Sequence, residues 1–276
     1  MRIAVASGKG GTGKTLVSVN LSAAAGLDLA DLDVEEPNAF LYFGDGPSTI
    51  VPVSRPVPSI DEGSCDLCGE CARVCAFNAL VRLPRRIRVH EELCHGCGAC
   101  ARLCPHQAIE EVDHEMGVLI STASGERRLV YGRLNIGEAN AVPLIKAVKA
   151  SLAPGRTVLM DCPPGTSCNM VEAVRGSDYA IMVAEPTPFG AHDLALALDV
   201  LERLEVPHGV AINKAGMGGV DIAAMCAARG TTVLGAIPFS RDIAQRHAQG
   251  RSLMDRPEDR RTFLGLWGAV MKEMRP

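Results

Sequence analysis

The sequence predicts an α/β fold in which a doubly wound, mostly parallel sheet carries a small inserted domain. Three observations support this prediction: apolar strands alternate with helical stretches, acidic motifs follow several strands, and a cysteine-rich segment interrupts the alternation. Because the carboxyl ends of parallel strands meet at one edge of a sheet, the motifs after those strands are expected to form one site. The expected division is a discontinuous main domain of residues 1–59 and 113–276 and an inserted domain of residues 60–112.

A glycine-rich segment, Ser7 to Thr15, follows the first apolar strand and opens onto a helical stretch. Its pattern, Gly8-x4-Gly13-Lys14-Thr15, is that of a P-loop. Glycines let successive backbone N–H groups point at one anion, Lys14 reaches the β- and γ-phosphates, and Thr15 offers a hydroxyl to Mg²⁺. The nucleotide-binding residues predicted in this loop are Gly8, Gly10, Gly11, Thr12, Gly13, Lys14 and Thr15.

Lys9 is a second lysine that an ordinary phosphate loop does not need. With it the loop contains Lys-Gly-Gly-x-Gly-Lys-Thr and resembles that of the deviant-P-loop ATPases, the superfamily of MinD, Mrp, ParA and the nitrogenase iron protein. The resemblance covers nearly the whole chain and implies hydrolysis of ATP to ADP and phosphate by a homodimer, slowly without a partner. It also implies that Lys9 crosses the dimer interface, so that ATP binding and dimerisation are one event.

Two acidic segments follow predicted strands, Asp31 to Asn38 and Asp161 to Thr166. Carboxylates beside a phosphate site suit Mg²⁺ binding and water positioning. By resemblance these segments are the two switches: Asp33 orients the attacking water, Asp31 lies near the metal, and Asn38 lies at the dimer interface. The predicted Mg²⁺ ligands are therefore Thr15, Asp31 and Asp161, and the predicted catalytic residues are Lys9, Lys14, Asp33 and Asp161. The interval from Thr15 to Asp31 is shorter than is usual in the superfamily.

A later strand ends in Asn213-Lys214-Ala215-Gly216. A guanine-specific protein would carry Asp where Gly216 stands, so this segment favours adenine. By resemblance, Asn213 contacts the base and Pro238 belongs to the last loop that flanks it. The expected ligands are ATP or ADP with Mg²⁺.

The cysteine-rich segment contains an internal repeat at a spacing of 29 residues. Its two copies of C-x2-C-x2-C-x3-C resemble a bacterial two-cluster ferredoxin, in which the fourth cysteine of each run ligates the other cluster. Structural zinc is the alternative, although it usually takes two separated C-x2-C pairs. The resemblance implies two 4Fe-4S clusters with the ligand sets Cys65, Cys68, Cys71 and Cys104, and Cys75, Cys94, Cys97 and Cys100.

The remaining cysteines and the nearby histidines carry weaker signals. Cys162 and Cys168 flank the second switch and are expected to pack in the interior, with a bridging metal site as the alternative. Eight cysteines are available to the clusters, so the histidines in or near the inserted segment are expected to be surface residues. They are His90, His95, His106 and His114.

Bulk composition disfavours several classes of protein. A hydrophobic content of 47% with 22% charged residues is typical of a globular protein, and a net charge of -4 gives no electrostatic footprint for nucleic acid. Since neither a membrane span nor a secretory signal is recognisable, we expect a cytoplasmic protein whose cysteines serve metal or redox chemistry. The segment from Phe263 to Met274 has one apolar face, which is expected to dock on the domain; reversible membrane anchoring is the alternative.

Two classes of function remain open at this stage. The first is an ATPase whose nucleotide state controls electron transfer to a redox or metalloprotein partner, or the maturation of that partner's metal centre or Fe-S cluster. The second is a MinD-like positioning or scaffolding ATPase with structural or redox-sensing clusters. The sequence lacks the C-terminal cysteine pair that Mrp-type scaffold proteins use to hold a transferable cluster. This difference counts against a function as a simple cluster carrier. An ATP-dependent amidotransferase ranks last, because no glutaminase domain is recognisable.

Overall fold

A computed structural model describes residues 1–44 and 46–275. Strands and short helices alternate along most of this part of the chain. The strands are β1 (Arg2–Ala6), β2 (Asp28–Asp31), β3 (Ser48–Ile60), β4 (Leu80–Arg82), β5 (Ile87–Val89), β6 (Ile109–Ser124), β7 (Arg127–Leu134), β8 (Val158–Asp161), β9 (Tyr179–Ala184), β10 (His208–Ala215) and β11 (Thr232–Pro238). The helices are α1 (Lys14–Ala25), α2 (Glu70–Val74), α3 (Ala99–Leu103), α4 (Val142–Ala150), α5 (Cys168–Val174), α6 (Pro188–Arg203), α7 (Ile222–Arg229), α8 (Arg241–Ala248) and α9 (Pro257–Glu273).

The main sheet has the strand order β11-β10-β9-β1-β8-β2-β7-β6-β3. The neighbours from β11 to β7 pair in parallel, whereas β6 and β3 extend the sheet as antiparallel strands. One face of the sheet is buried by α4, α5, α6 and α7, and the other by α1, α8 and α9. The predicted doubly wound, mostly parallel sheet is therefore confirmed.

Strands β3 and β6 form a long ribbon that leaves the sheet and leads to the cysteine-rich segment. Their pairing runs from Ser48 opposite Thr122 to Ile60 opposite Ile109. The proline-rich stretch that ends at Pro58 belongs to the edge strand β3. Its prolines are tolerated because an edge strand has one side without a neighbour that needs N–H donors. Strand β6 begins at Ile109, ahead of the part that pairs with β7, because it continues along the ribbon.

The cysteine module, residues 61–108, lies between the distal ends of β3 and β6. Its own core combines Val57, Leu80, Ile87 and Ile109 with cysteine side chains. The 29-residue sequence repeat is visible in the backbone, because three matched pairs of positions adopt positive φ. These pairs are Leu67 and Gly96 (62° and 64°), Gly69 and Gly98 (84° and 69°), and Asn78 and Gln107 (54° and 51°).

The C-terminal helix α9 packs against α1 and β11. Phe263, Leu266 and Val270 on its apolar face are buried in the same core as β1 and β9. This contact confirms that the helix docks on the domain. Among the described residues, no helix combines the length and apolar character required to cross a bilayer.

Candidate functional site

The loop between β1 and α1 opens a cleft of about 400 Å³ at the carboxyl edge of the parallel strands. Gly11 and Gly13 adopt φ of 76° and 94°, which favours glycine at both positions. A Cβ added to Gly13 would lie 2.1 Å from Nδ2 of Asn213, so the loop and the Asn213 side chain leave no room for another residue. The P-loop thus has the strand, loop and helix context that its sequence requires.

The cleft is lined by residues of the P-loop, both switches and the loops after β10 and β11. Of the predicted site residues, it brings together Gly10, Gly11, Gly13, Lys14, Thr15, Asp33, Asn213 and Pro238. Gly8 and Thr12 support the loop and do not line the cleft. Gly8 packs against the backbone of Asp193. The Thr12 carbonyl accepts a hydrogen bond from Asn213 Nδ2 at 2.7 Å. Asn38 and Glu36 border the opening.

Asp161 ends β8 directly behind the first turn of α1. Its carboxylate accepts a hydrogen bond from the Thr15 hydroxyl at 2.7 Å, and the Ser18 hydroxyl lies 3.0 Å from its other oxygen. Burial raises the pKa of Asp161, and this effect exceeds the opposing influence of Lys14, Thr15 and Ser18. A buried carboxylate that faces a P-loop hydroxyl is suited to hold a Mg²⁺-bound water, and this role of Asp161 stays a prediction.

Asp31 stabilises the first switch through hydrogen bonds to its backbone. Its buried carboxylate accepts backbone N–H bonds from Asp33, Asn38 and Ala39, each at 3.0 Å. Burial, reinforced by the neighbouring Asp161, raises the pKa of Asp31 to about 8 despite these bonds. The carboxylate therefore fixes the turn that presents Asp33 to the cleft, and its role near the metal stays a prediction.

Asp33 is the half-buried carboxylate of the first switch that faces the cleft. Burial raises its pKa to about 6; Lys14 lowers the pKa, whereas Asp161, Glu35 and Glu36 raise it further. At neutral pH the group is therefore mostly ionised, but it lies much closer to its titration point than an ordinary aspartate. An ionised carboxylate here is an acceptor that orients a water molecule toward a phosphate.

The raised pKa of Asp33 predicts an acid limb in the pH profile of ATP hydrolysis. Protonation removes the acceptor that orients water, so we expect hydrolysis to fall by up to about tenfold per pH unit on the acid side of the Asp33 pKa. The limb should lie near pH 6. Initial rates of phosphate release between pH 4.5 and 8 measure it, with binding of a non-hydrolysable ATP analogue over the same range as the control for unfolding. A flat profile in the wild-type protein would contradict the assignment.

Lys9 forms an ion pair within its own protomer. Its Nζ lies 2.5 Å from Oε1 of Glu185, and the other oxygen of this carboxylate accepts from Lys214 Nζ at 2.8 Å. Lys214 also donates to the Gly11 carbonyl at 2.8 Å. Burial alone would raise the pKa of Glu185, but the hydrogen bonds and charges of Lys214 and Lys9 outweigh it and hold the pKa below its usual range.

Several residues of the cleft were not assigned from the sequence. Glu185 and Lys214 stand at the carboxyl ends of β9 and β10, and that position was the available signal. The Ser18 hydroxyl follows Thr15 by one turn of α1, where i and i+3 side chains share a face. The far end of the cleft is lined by Phe239, Ser240, Ile243, Ala244 and His247, which extend the Pro238 loop into α8.

The eight cysteines of the module line two separate small cavities. The first is lined by Cys65, Cys68, Cys71 and Cys104, and the second by Cys75, Cys94, Cys97 and Cys100. Each cavity thus draws three cysteines from one run and the fourth from the other. Burial raises the pKa of Cys71, and raises that of Cys100 to about 11.

The donor set and its surroundings fit two cubane clusters. Backbone N–H groups donate to the sulfurs of Cys75, Cys94 and Cys104 at 3.3 to 3.4 Å, an interaction that stabilises thiolate ligands. Throughout the described part of the chain, no three His, Cys, Asp or Glu side chains converge on a position for a single metal ion. A cubane differs in this respect, because its four thiolates bind four separate iron atoms and need not converge on one point.

The three other cysteines lie outside the module. Cys162 is buried, as predicted, and Cys226 is buried as well, whereas Cys168 is exposed. The prediction that Cys168 packs in the interior is therefore wrong, because this residue lies two positions beyond the second switch, at the exposed start of α5. Cys162 and Cys168 consequently have opposite environments.

Two histidines of the module contact other groups more closely than surface residues do. The His95 ring stacks on Phe77 with 3.6 Å between centroids, and His114 lies 2.6 Å from Glu138 and 2.9 Å from Glu91. Among His90, His95, His106 and His114, only His106 is exposed; the other three are half-buried. The expectation of surface positions is thus wrong for His95 and His114, since both lie where the module meets the main domain.

The loop after β7, residues 135–141, joins the first switch to the module; we call it the connecting loop. Just before it, the Leu134 N–H donates to the Val34 carbonyl at 2.9 Å, next to Asp33. At its other end, the Ala139 N–H donates to the Glu92 carbonyl at 3.2 Å, and the Asn140 amide lies 3.1 Å from the His95 ring. His95 stands between Cys94 and Cys97 of the second cavity.

A buried ion pair anchors the connecting loop to the ribbon. Arg55 of β3 lies 2.6 Å from Glu138, with the two side chains only 2% and 5% exposed, and Arg55 also donates to the Glu91 carbonyl at 2.7 Å. Two further nitrogens of the Arg55 guanidinium have no hydrogen-bond partner among the described residues. A charge buried in this way depends strongly on Glu138.

Comparison with known proteins bears on the main domain. Residues 3–253 match the family described as CbiA: CobQ/CobB/MinD/ParA nucleotide binding domain. Uncharacterized protein MJ0578 of Methanocaldococcus jannaschii is 30% identical over 262 residues, which are 92% of this chain and 90% of that protein.

Solved structures share the fold. The septum site-determining protein MinD from Pyrococcus horikoshii, complexed with Mg-ADP, superposes with a TM-score of 0.62 at 19% identity and covers 99% of this chain and 96% of its own. The cell division ATPase MinD of Pyrococcus furiosus gives a TM-score of 0.59 at 18% identity, with 99% and 98% covered.

Proposed function

Because the chain belongs to the CobQ/CobB/MinD/ParA nucleotide-binding family, we propose that it is a dimerising ATPase that carries two 4Fe-4S clusters. In this proposal its nucleotide state controls electron transfer to a redox or metalloprotein partner, or the maturation of that partner's metal centre. The observation that carries the proposal is the grouping of the eight cysteines into two cavities of four, in a module that contacts the loop beside the first switch.

The nucleotide half of the proposal rests on the cleft. Lys14 and the loop amides brace the phosphates, while Thr15 and Asp161 hold Mg²⁺ and Asp33 orients water. Lys9 is tied to Glu185 in the single protomer, and in the dimer it serves the nucleotide of the partner. ATP binding then exchanges one ion pair of Lys9 for another across the interface.

The proposed coupling between nucleotide state and the clusters depends on the connecting loop. Movement of Asp33 on hydrolysis displaces Val34, whose carbonyl is bonded to Leu134. The loop that follows transmits this displacement through Ala139 and Asn140 to Glu92 and His95, next to the second set of cysteines. The first set lies farther along the ribbon and has no such contact among the described residues.

A MinD-like positioning or scaffolding ATPase is the second candidate, and the observation that favours it is the likeness to MinD over the whole chain. The docked α9 argues against membrane attachment through that helix. In this alternative the clusters stabilise the module or sense redox state, and ATP controls assembly.

The test is anaerobic purification with iron and acid-labile sulfide assays, followed by partner capture with and without ATP. Lys14→Ala, which removes the phosphate contact, is the control. Two clusters per chain and recovery of a redox enzyme or metalloprotein only with ATP support the proposal. Absence of clusters, or ATP-dependent recovery of a division or membrane protein, contradicts it.

The coupling route gives a separate prediction for Asn140→Ala, which removes the contact with His95. We expect clusters to be retained, while the shift in cluster reduction potential between ADP and an ATP analogue shrinks by half or more. Potentiometric titration followed by electron paramagnetic resonance measures this shift in each nucleotide state.

The matched control for Asn140→Ala is Glu70→Gln, which breaks an exposed ion pair with Arg73 in the same module. It should leave the nucleotide-dependent shift unchanged. Equal potentials in the apo, ADP and analogue states of the wild-type protein would remove the basis for coupling.

A further inference from the structure

The hairpin formed by β4 and β5 carries a concentrated positive charge on the module. Its turn is closed by the Leu83 N–H, which donates to the Arg86 carbonyl at 2.8 Å. Arg82, Arg85, Arg86 and Arg88 are all exposed, and none has an ion-pair partner among the described residues. We call these four side chains the arginine hairpin.

The arginine hairpin lies against the loop of one cysteine set and not the other. A Cβ added to Gly69 would lie 2.9 Å from Cδ of Arg82, so the arginine stem covers the residue after the exposed Cys68. The repeat places Glu111 where Arg82 would stand in the second copy, and an added Cβ on Gly98 would lie 3.3 Å from its carboxylate. The two otherwise matched loops therefore carry opposite charges.

One nearby carboxylate offsets part of this positive charge. Hydrogen bonds from its own backbone N–H and from His90 lower the pKa of Glu92, and Arg88 lowers it further. Glu70 is instead paired with Arg73 at 2.5 Å, and Asp66 lies 2.9 Å from His106. The protein as a whole has a net charge of -4, so the arginine hairpin is a local exception that a partner would encounter first through its electric field.

We propose that the arginine hairpin is the docking surface for an acidic one-electron carrier protein, which meets the module at the first cysteine set. This inference rests on the proposed function, because it gives the first set the role of electron entry and leaves the second set beside the connecting loop. With a cluster held by Cys65, Cys68, Cys71 and Cys104, a docked, reduced carrier would lose one electron and the cluster would gain it. The carrier would thus be oxidised and the cluster reduced by one electron each, with no bond formed or broken and no proton transferred.

The charge pattern favours a protein over other anionic surfaces. Single-stranded nucleic acids are bound by basic grooves with aromatic stacking platforms, and residues 80–89 contain no aromatic side chain. A membrane-binding surface combines charge with a large apolar face, whereas Val81 is the one large apolar side chain among residues 80–89 that is more than a third exposed. Exposed arginines around a redox site instead match the rim charges that steer protein association.

The test compares two variants of the full-length, anaerobically purified protein with equal loss of charge. Arg85→Gln/Arg86→Gln/Arg88→Gln removes three of the four charges of the arginine hairpin and keeps Arg82 against Gly69. The control, Arg203→Gln/Arg260→Gln/Arg261→Gln, removes three exposed arginines from α6 and α9. The probes are an acidic flavodoxin and an acidic single-cluster ferredoxin, with Kd measured by calorimetry at rising salt concentrations.

We expect the hairpin variant to bind both probes at least about tenfold more weakly at low ionic strength, with the difference shrinking as salt screens the charges. The control should stay within about twofold of the wild-type protein, as expected for remote surface charges. Absence of binding to both probes, equal affinities of the two variants, or tighter binding to duplex DNA or phosphatidylglycerol vesicles would overturn the proposal.

Iron and sulfide assays on the same samples separate this inference from the proposed function. Clusters without carrier binding would refute the docking surface alone. Carrier binding that depends on the arginine hairpin in a protein without clusters would refute the proposed function and leave the docking surface standing.

Discussion

Lys9→Ala is expected to lower the rate of ATP hydrolysis by about 10³-fold, the scale of a charge supplied to transferring phosphate from a neighbouring subunit. The substitution leaves the P-loop glycines and Lys14 in place, so ATP binding to the single protomer should persist. Size-exclusion chromatography with a non-hydrolysable analogue should show a dimer for the wild-type protein and a monomer for Lys9→Ala. Phosphate release under saturating ATP gives the rate.

A mixing experiment distinguishes action across the interface from action within one protomer. Asp33→Asn retains Lys9 but lacks the group that orients water, and Lys9→Ala retains Asp33. If Lys9 acts in trans, a mixed dimer contains one complete site, so an equal mixture should regain up to about a quarter of wild-type activity from two inactive proteins. No recovery in the mixture would place Lys9 in its own protomer's site, where the bond to Glu185 now holds it.

Glu185→Gln supplies the complementary test of the same ion pair. Replacing the carboxylate weakens the 2.5 Å contact that keeps Lys9 on its own protomer. If releasing Lys9 from Glu185 is a cost of dimerisation, this variant should dimerise at a lower analogue concentration than the wild-type protein. Lys214, which shares the carboxylate and also holds the Gly11 carbonyl, limits the gain because it loses the same partner.

The sequence was sufficient wherever function depends on residues that are close along the chain. The P-loop, the switch carboxylates and the two cysteine runs are local patterns whose chemistry follows from residue type and spacing. The parallel sheet also followed, because apolar strands alternate with helices. The docked face of α9 was visible as helical spacing of apolar residues.

The remaining features depend on contacts between segments that are far apart in sequence. Glu185 is 176 residues from Lys9, and no local pattern distinguishes it from any polar residue at a strand end. The connecting loop looks like an ordinary turn in sequence; only the fold places Glu138 against Arg55 and Asn140 against His95. The sequence repeat aligns Arg82 with Glu111, but only the structure shows that each side chain lies beside the matching glycine of its own cysteine loop.

Double cysteine substitutions are expected to distinguish crossed ligation, in which each cluster takes its fourth cysteine from the other run, from uncrossed ligation, in which each run holds its own cluster. The two arrangements predict very different iron contents for the same variant. In the structure Cys75 shares a cavity with Cys94, whereas Cys65 belongs to the other cavity. Cys75→Ala/Cys94→Ala therefore removes two ligands from one site, and the protein should keep about half of its iron and acid-labile sulfide. Cys65→Ala/Cys75→Ala removes one ligand from each site, and nearly all of the iron should be lost.

These double variants control for each other, because each replaces two cysteines of the same module. If each run of four cysteines held its own cluster, the outcomes would be exchanged, and Cys65→Ala/Cys75→Ala would keep half of the iron. Equal losses in both variants would mean that the module unfolds when either site is damaged. In that case Cys75→Ser and Cys104→Ser, measured singly by electron paramagnetic resonance after reduction, decide which cluster signal each fourth cysteine supports. Crossed ligation requires Cys75→Ser to alter the signal that Cys94→Ser also alters, because both side chains line one cavity.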